Sequence, residues 1–83
     1  MNTIQLVDEL DKLKVPKNYY SINGDLRTDT YILNNIYGKW EYYYFDEKGN
    51  REDYHEFENE NEACEYMLTK LKAEINYPPT SFK

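Results

Sequence analysis

The chain has one cysteine in 83 residues, Cys64. No internal disulfide can form, which excludes a small secreted scaffold held by cystines. Glycine is scarce, with three in the chain. Gly24, Gly38 and Gly49 stand apart and match no phosphate-cradling pattern, so nucleotide binding has no support. There is one histidine, His55. No Gly-x-Ser-x-Gly element or cysteine–histidine signature accompanies it. Set among Asp53, Glu56 and Glu58, it reads as a solvated strand residue, not a catalyst. No ligand spacing marks a metal site. No apolar run reaches signal-peptide or membrane length, so a cytoplasmic protein without membrane association is expected. Basic residues are few, 10 against 16 acidic, for a net charge of −6. Such a chain lacks the positive footprint needed to bind nucleic acid directly. No cofactor and no catalytic residue is expected, and the chain is not expected to be an enzyme.

What it does have is tyrosine. Ten tyrosines bring the aromatic content to 17%. A chain this short has a small core, although each ring buries roughly 150–250 Å². The core cannot take all ten, so several rings belong on the surface. There they supply large contact area at low entropic cost, or they simply fill strands, where tyrosine is favoured.

Residues 3–14 read as a helix. Leu6, Leu10 and Leu13 share a face, with Val7 and Ile4 beside it. Asn2 or Thr3 caps the start, and Pro16 stops the element. Tyr19–Ile22 is a short strand, followed by the turn signal Asn23-Gly24. Residues 29–37 form a second strand, apolar on both faces and thus inside the sheet. Gly38-Lys39 is a two-residue turn with glycine first. The third strand, Trp40–Phe45, points Trp40, Tyr42 and Tyr44 to one side and Glu41, Tyr43 and Phe45 to the other. Asp46–Asn50 is a loop. The fourth strand, Arg51–Phe57, is polar, as a charge-protected edge strand is. Asn59 with Glu62 has capping-box spacing. Cys64, Met67, Leu68, Leu71 and Ile75 then make a helical stripe, which places Cys64 in the core. The tail, with Pro78-Pro79, is irregular.

These elements predict one α+β domain over 1–76 and an irregular tail over 77–83. The order is α-β-β-β-β-α. Short connections predict a four-stranded antiparallel meander, with the C-terminal helix across one face. The other face, unless the N-terminal helix covers it, then presents tyrosine to water.

Charge is segregated. From Glu41 to Glu65 ten acidic residues face only Lys48 and Arg51, which is −8 against −6 for the whole chain. The remainder is slightly positive. Such a field steers association with a positive patch. Solvation and helix-dipole matching account for Glu60 and Glu62, but less readily for Glu52, Asp53 and Glu56 on a strand. The partner-binding candidates are Glu41, Tyr43, Asp46, Glu47, Glu52, Asp53, Tyr54 and Glu56.

Three stretches carry a family likeness. They are Pro16-Lys17-Asn18-Tyr19-Tyr20-Ser21-Ile22-Asn23-Gly24, Gly38-Lys39-Trp40-Glu41-Tyr42-Tyr43-Tyr44 with Glu47-Lys48-Gly49, and Phe57-Glu58-Asn59-Glu60-Asn61-Glu62-Ala63-Cys64-Glu65-Tyr66. On them the segment from Pro16 to Leu71 resembles small bacterial immunity proteins, which neutralise toxin domains of polymorphic and contact-dependent systems. Lys48 stands where that family often has arginine, and Asn59 where it often has serine. The resemblance implies an antitoxin that binds and blocks one cognate toxin domain in the cytoplasm, and does not identify that toxin. The acidic cluster and surplus tyrosine suit a basic, nuclease-type active site, occluded with carboxylates where substrate phosphates bind. A monomer or weak homodimer is expected. Still open are an acidic DNA-mimic module that inhibits a nucleic-acid enzyme outside any toxin pair, a small enzyme, and a structural homo-oligomer paired through exposed tyrosines.

Overall fold

The structure, a computed structural model, describes residues 1–76. The expected irregular tail over 77–83 and the side chain of Ile75 lie outside the described residues. Helix α1 (Thr3–Lys12) and a single 3-10 turn (Lys17–Tyr19) come first. Strands β1 (Tyr20–Ile22), β2 (Thr30–Ile36), β3 (Lys39–Phe45) and β4 (Arg51–Phe57) follow, then helix α2 (Glu60–Asn76). The order helix, four strands, helix is the one expected. The strands lie side by side in sequence order.

Local chemistry sets the helix ends. The Asn2 side chain accepts from the Gln5 amide at 2.8 Å, and the Gln5 side chain accepts from the Asn2 amide at 2.9 Å. This capping box satisfies two amides that the helix cannot. At the other end Lys14 takes a φ of 63°. Its N–H bonds the Asp11 carbonyl, and the Val15 N–H bonds the Leu10 carbonyl, both at 3.0 Å. This is a Schellman cap, with Val15 and Leu10 as its buried apolar pair. The cap ends α1 at Lys12, short of the Lys14 expected from Pro16. In α2 the Asn59 side chain accepts from the Glu62 amide at 2.8 Å, as the spacing predicts.

The all-antiparallel meander is corrected at one strand. β1 pairs with β2 in parallel, Tyr20 opposite Tyr31 and Ile22 opposite Leu33. Parallel neighbours usually need a crossover of a dozen residues or more. Here β1 has only 3 residues, about 10 Å of strand, so the loop Asn23–Asp29 is long enough to double back. Left-handed backbone at Asn23 (φ 53°) and Asp29 (φ 57°) reverses the chain at both ends. The loop is tied down by Ser21 Oγ donating to the Asp25 carbonyl at 2.8 Å and Arg27 donating to the Tyr20 carbonyl at 3.1 Å. The Asn23-Gly24 signal marks a return of the chain and not a hairpin.

β2 and β3 form the expected hairpin, but its turn is Tyr37-Gly38 and not Gly38-Lys39. Both residues have positive φ, 51° and 85°, as a type I′ turn requires. Lys39 instead opens β3, opposite Ile36.

Both helices pack on one face of the sheet. Leu6 and Leu10 of α1, Cys64, Met67 and Leu71 of α2, and Leu33, Trp40 and Tyr42 of the sheet join in one buried cluster. Ile4, placed beside the apolar face of α1, is instead exposed. The Met1 ammonium donates to Asn61 and the Thr3 amide to Glu60, tying the start of α1 to the start of α2. No described helix covers the opposite face.

Candidate functional site

The β3–β4 hairpin carries the eight candidate residues, and its geometry sorts them. Regular alternation would put Glu52, Tyr54 and Glu56 on one face. The ladder is regular from Trp40–Phe57 to Tyr42–His55, then resumes at Tyr44–Glu52. One residue too many lies in between. Asp53, at φ 56°, is the bulged residue, and the strand changes phase there. Glu52 and Asp53 therefore both lie on the helix face. Glu41, Tyr54 and Glu56 remain on the opposite face. The acidic strand is divided between two surfaces.

On the face without helices, Glu41 and Glu56 are direct cross-strand partners. The Tyr54 hydroxyl lies 2.8 Å from a Glu41 oxygen and 2.9 Å from a Glu56 oxygen. A phenol has one proton, so it donates to one carboxylate at a time. These bonds, that to Glu41 first, push the Tyr54 phenol far above its usual range. Lys39 approaches Glu56 at 3.8 Å and Glu58 at 3.9 Å, and Glu41 has no basic partner among the described residues.

Tyr43, expected as a contact residue, is 2% exposed and unavailable. Tyr54 stacks beside it with centroids 6.0 Å apart, and Phe45 meets it edge-on. The Arg51 guanidinium sits 5.0 Å from its ring centre, a cation–π contact. Tyr43 is thus the buried floor of the surface that Tyr54 presents. The expectation of tyrosine exposed on this face holds for Tyr54, not for Tyr43.

Two candidates belong to the loop. Asp46 accepts from the amides of Lys48 (2.9 Å) and Asn50 (2.7 Å) and from the Asn50 side chain (3.2 Å). Hydrogen bonds from Asn50 above all hold its carboxyl below the usual range. Its carboxylate is committed to shaping the turn, while Glu47 is exposed beside it.

On the helix face a groove of about 480 Å³ opens between the sheet and α2. Tyr31, Tyr42 and Tyr44 form its sheet wall, Glu52 and Asp53 its β4 rim, and Lys70 and Glu74 its α2 side. The Tyr31 and Tyr44 rings meet at 4.8 Å. The Tyr31 hydroxyl donates to Glu74 at 2.9 Å. Burial pushes the Tyr31 and Tyr42 phenols far above their usual range. Asp53 accepts from Lys70 at 3.1 Å and from the Tyr66 hydroxyl at 3.0 Å. Burial raises its carboxyl, but these two donors outweigh it and hold the group below the usual range. The neighbouring Asp46 carboxylate above all pushes the Glu52 carboxyl up. Sequence reasoning missed Tyr31, Lys70 and Glu74 as companions of Glu52. The available signal was the Tyr31–Tyr44 cross-strand pair.

His55 packs against Tyr66 and Phe57. Its Nδ1 lies 3.0 Å from the Asp53 carbonyl. Cys64 is buried in the main core, and burial pushes its thiol up to about 11. Among the described residues no three histidine, cysteine, aspartate or glutamate side chains converge on a metal-sized position. No described helix is long and apolar enough to cross a membrane.

No protein-family model, curated protein or solved structure matches this chain.

Proposed function

We propose that the chain is an immunity protein, which binds a cognate bacterial toxin domain of the nuclease type and blocks its active site without catalysis of its own. The observation that carries this reading is the Glu41–Tyr54–Glu56 surface. Like charges directly opposite in a sheet are destabilising. Tyr54 has one proton to share between them, and Lys39 neutralises Glu56 but not Glu41. A basic partner supplies what is missing. An enzyme that grips phosphates presents such a basic surface, and carboxylates on a rigid sheet occupy it as phosphates would. The exposed ring of Tyr54, seated on Tyr43, adds an apolar anchor of the kind enriched at interface centres. The resemblance of Pro16–Leu71 to immunity proteins supports the same reading, with cytoplasmic action as part of the proposal.

The test uses the toxin domain encoded directly upstream, co-expressed with this chain. The expected result is a stable complex and protection of the host cell. Glu41→Lys with Glu56→Lys should abolish both while the variant melts cooperatively. Unchanged affinity and full protection in that variant would remove this face from the mechanism. Failure of the native chain to bind the toxin domain would remove the function.

A further inference from the structure

The groove between the sheet and α2 has a chemistry of its own. Its walls are tyrosine rings and its rim is acidic. Lys70 is engaged by Asp53, and neither Glu52 nor Glu74 has a basic partner among the described residues. One more group is unanswered. Tyr42 is 1% exposed, and its hydroxyl makes no hydrogen bond to a described residue. That oxygen is not a sealed orphan, as the Tyr20 hydroxyl is. It lies in the field of Tyr31, Asp53 and Glu74 and faces the groove they line. The Tyr42 oxygen is thus free to accept from a donor placed in the groove.

We infer that this groove receives a guanidinium group, bonded by the Tyr42 hydroxyl oxygen, neutralised by Glu52 and Glu74 and flanked by the Tyr31 and Tyr44 rings. A guanidinium is flat, weakly hydrated and rich in donors. It stacks on aromatic faces and forks onto carboxylates, whereas an ammonium is a point charge with a tight water shell. The groove has room for the group and the stem that carries it. The inference deepens the reading above, because the group would be an arginine side chain of the inhibited toxin. It is tested with a probe that needs no toxin, so the two can fail separately.

The experiment is a two-dimensional NMR titration of the full chain with N-acetyl-arginine N-methylamide. Saturable shifts are expected at Tyr31, Tyr42, Tyr44 and Glu74, and none with the neutral citrulline analogue. Tyr42→Phe should weaken binding about three- to tenfold, the effect of one lost hydrogen bond. Glu52→Gln with Glu74→Gln should weaken it by more than about tenfold, since hydrogen bonds to charged groups are worth more. Asp8→Asn with Asp11→Asn, at exposed positions of α1, should leave it unchanged. Absence of saturable shifts would overturn the inference. So would an equal loss in the α1 variant, which would mark general charge attraction. Methylguanidinium binding more tightly than the capped arginine would overturn the side-chain source in favour of a small free cation.

Discussion

Replacing Glu41 by glutamine should stabilise the fold and weaken its partner complex at once. Glu41 and Glu56 are cross-strand partners, and Tyr54 stands between them with one proton to give. Glu41 is the better member to change, because Lys39 lies near Glu56 and Glu58 and not near Glu41. Glutamine keeps the shape, removes the repulsion and brings an amide that can donate to Glu56, while Tyr54 keeps an acceptor. Cross-strand pairs of this kind are worth roughly 0.2–1 kcal/mol. About 0.5 kcal/mol is expected here, which in a domain of this size raises Tm by about 2–4 °C. With an m-value of about 1 kcal/mol/M, the urea midpoint rises by about 0.5 M. Trp40 fluorescence, from a buried ring, reports both transitions. The gain should shrink in about 1 M salt, where the screening length falls to about 3 Å. Affinity for the basic partner should fall about tenfold, as for loss of one charge-assisted contact. A variant that melts lower, or whose gain persists undiminished in high salt, would refute the argument that the two carboxylates repel.

Other outcomes are as specific. Tyr37→Asn should raise stability by about 0.5–1 kcal/mol in thermal melts, because asparagine tolerates the left-handed turn position better, and the fully exposed Tyr37 ring has no packing to lose. Tyr43→Ala should cost about 3–5 kcal/mol in urea denaturation, as a buried ring does, whereas Tyr54→Ala should cost about 1 kcal/mol or less and act mainly on binding. Asp53→Asn should flatten the acid limb of stability. The folded-state carboxyl of Asp53 lies below its unfolded value, so its contribution is present above about pH 4 and is lost as pH falls through the folded value. Denaturant midpoints of native and variant chains should therefore converge toward low pH. Their separation near neutrality should be under about 1 kcal/mol, since the Asp53 and Lys70 side chains are 39% and 41% exposed.

Much of the fold was legible because apolar periodicity carries it. The stripes on α1 and α2, the two-sided burial of β2 and the charge on β4 each follow from one spacing rule. The direction of β1 was not legible. Asn23-Gly24 commonly closes hairpins, and nothing local distinguishes that from the reversal completed by Asp29 six positions later. The hairpin turn was misplaced by one residue because tyrosine at positive φ is disfavoured, so Gly38 attracted the first turn position. The acidic surface was legible as composition only. A bulge is a matter of counting across two strands, and the sole trace of this one is an aspartate, a residue that tolerates left-handed backbone. That single position moved Glu52 away from Glu56 and joined it to Tyr31 and Glu74, which are distant in the chain. Tyr43 was misassigned for another reason. Its side of the sheet was correct, but Arg51, Phe45 and Tyr54 close over it.

The bulge also fixes where β4 can change length. Register sums to one value on the Phe57 side of Asp53 and to one less on the Arg51 side. Removing Asp53 would merge the two into a single regular ladder, with every remaining side chain on its present face. Removing Glu52 would do the same, whereas removing a residue from Tyr54 to Glu56 would close the ladder only by turning side chains to the other face. The strand can therefore lose one residue at this site without any change of facing along β4. Losing Asp53 deletes two ties to α2, those from Lys70 and Tyr66, and leaves the Glu41–Tyr54–Glu56 surface intact, so chain length and binding surface can diverge independently.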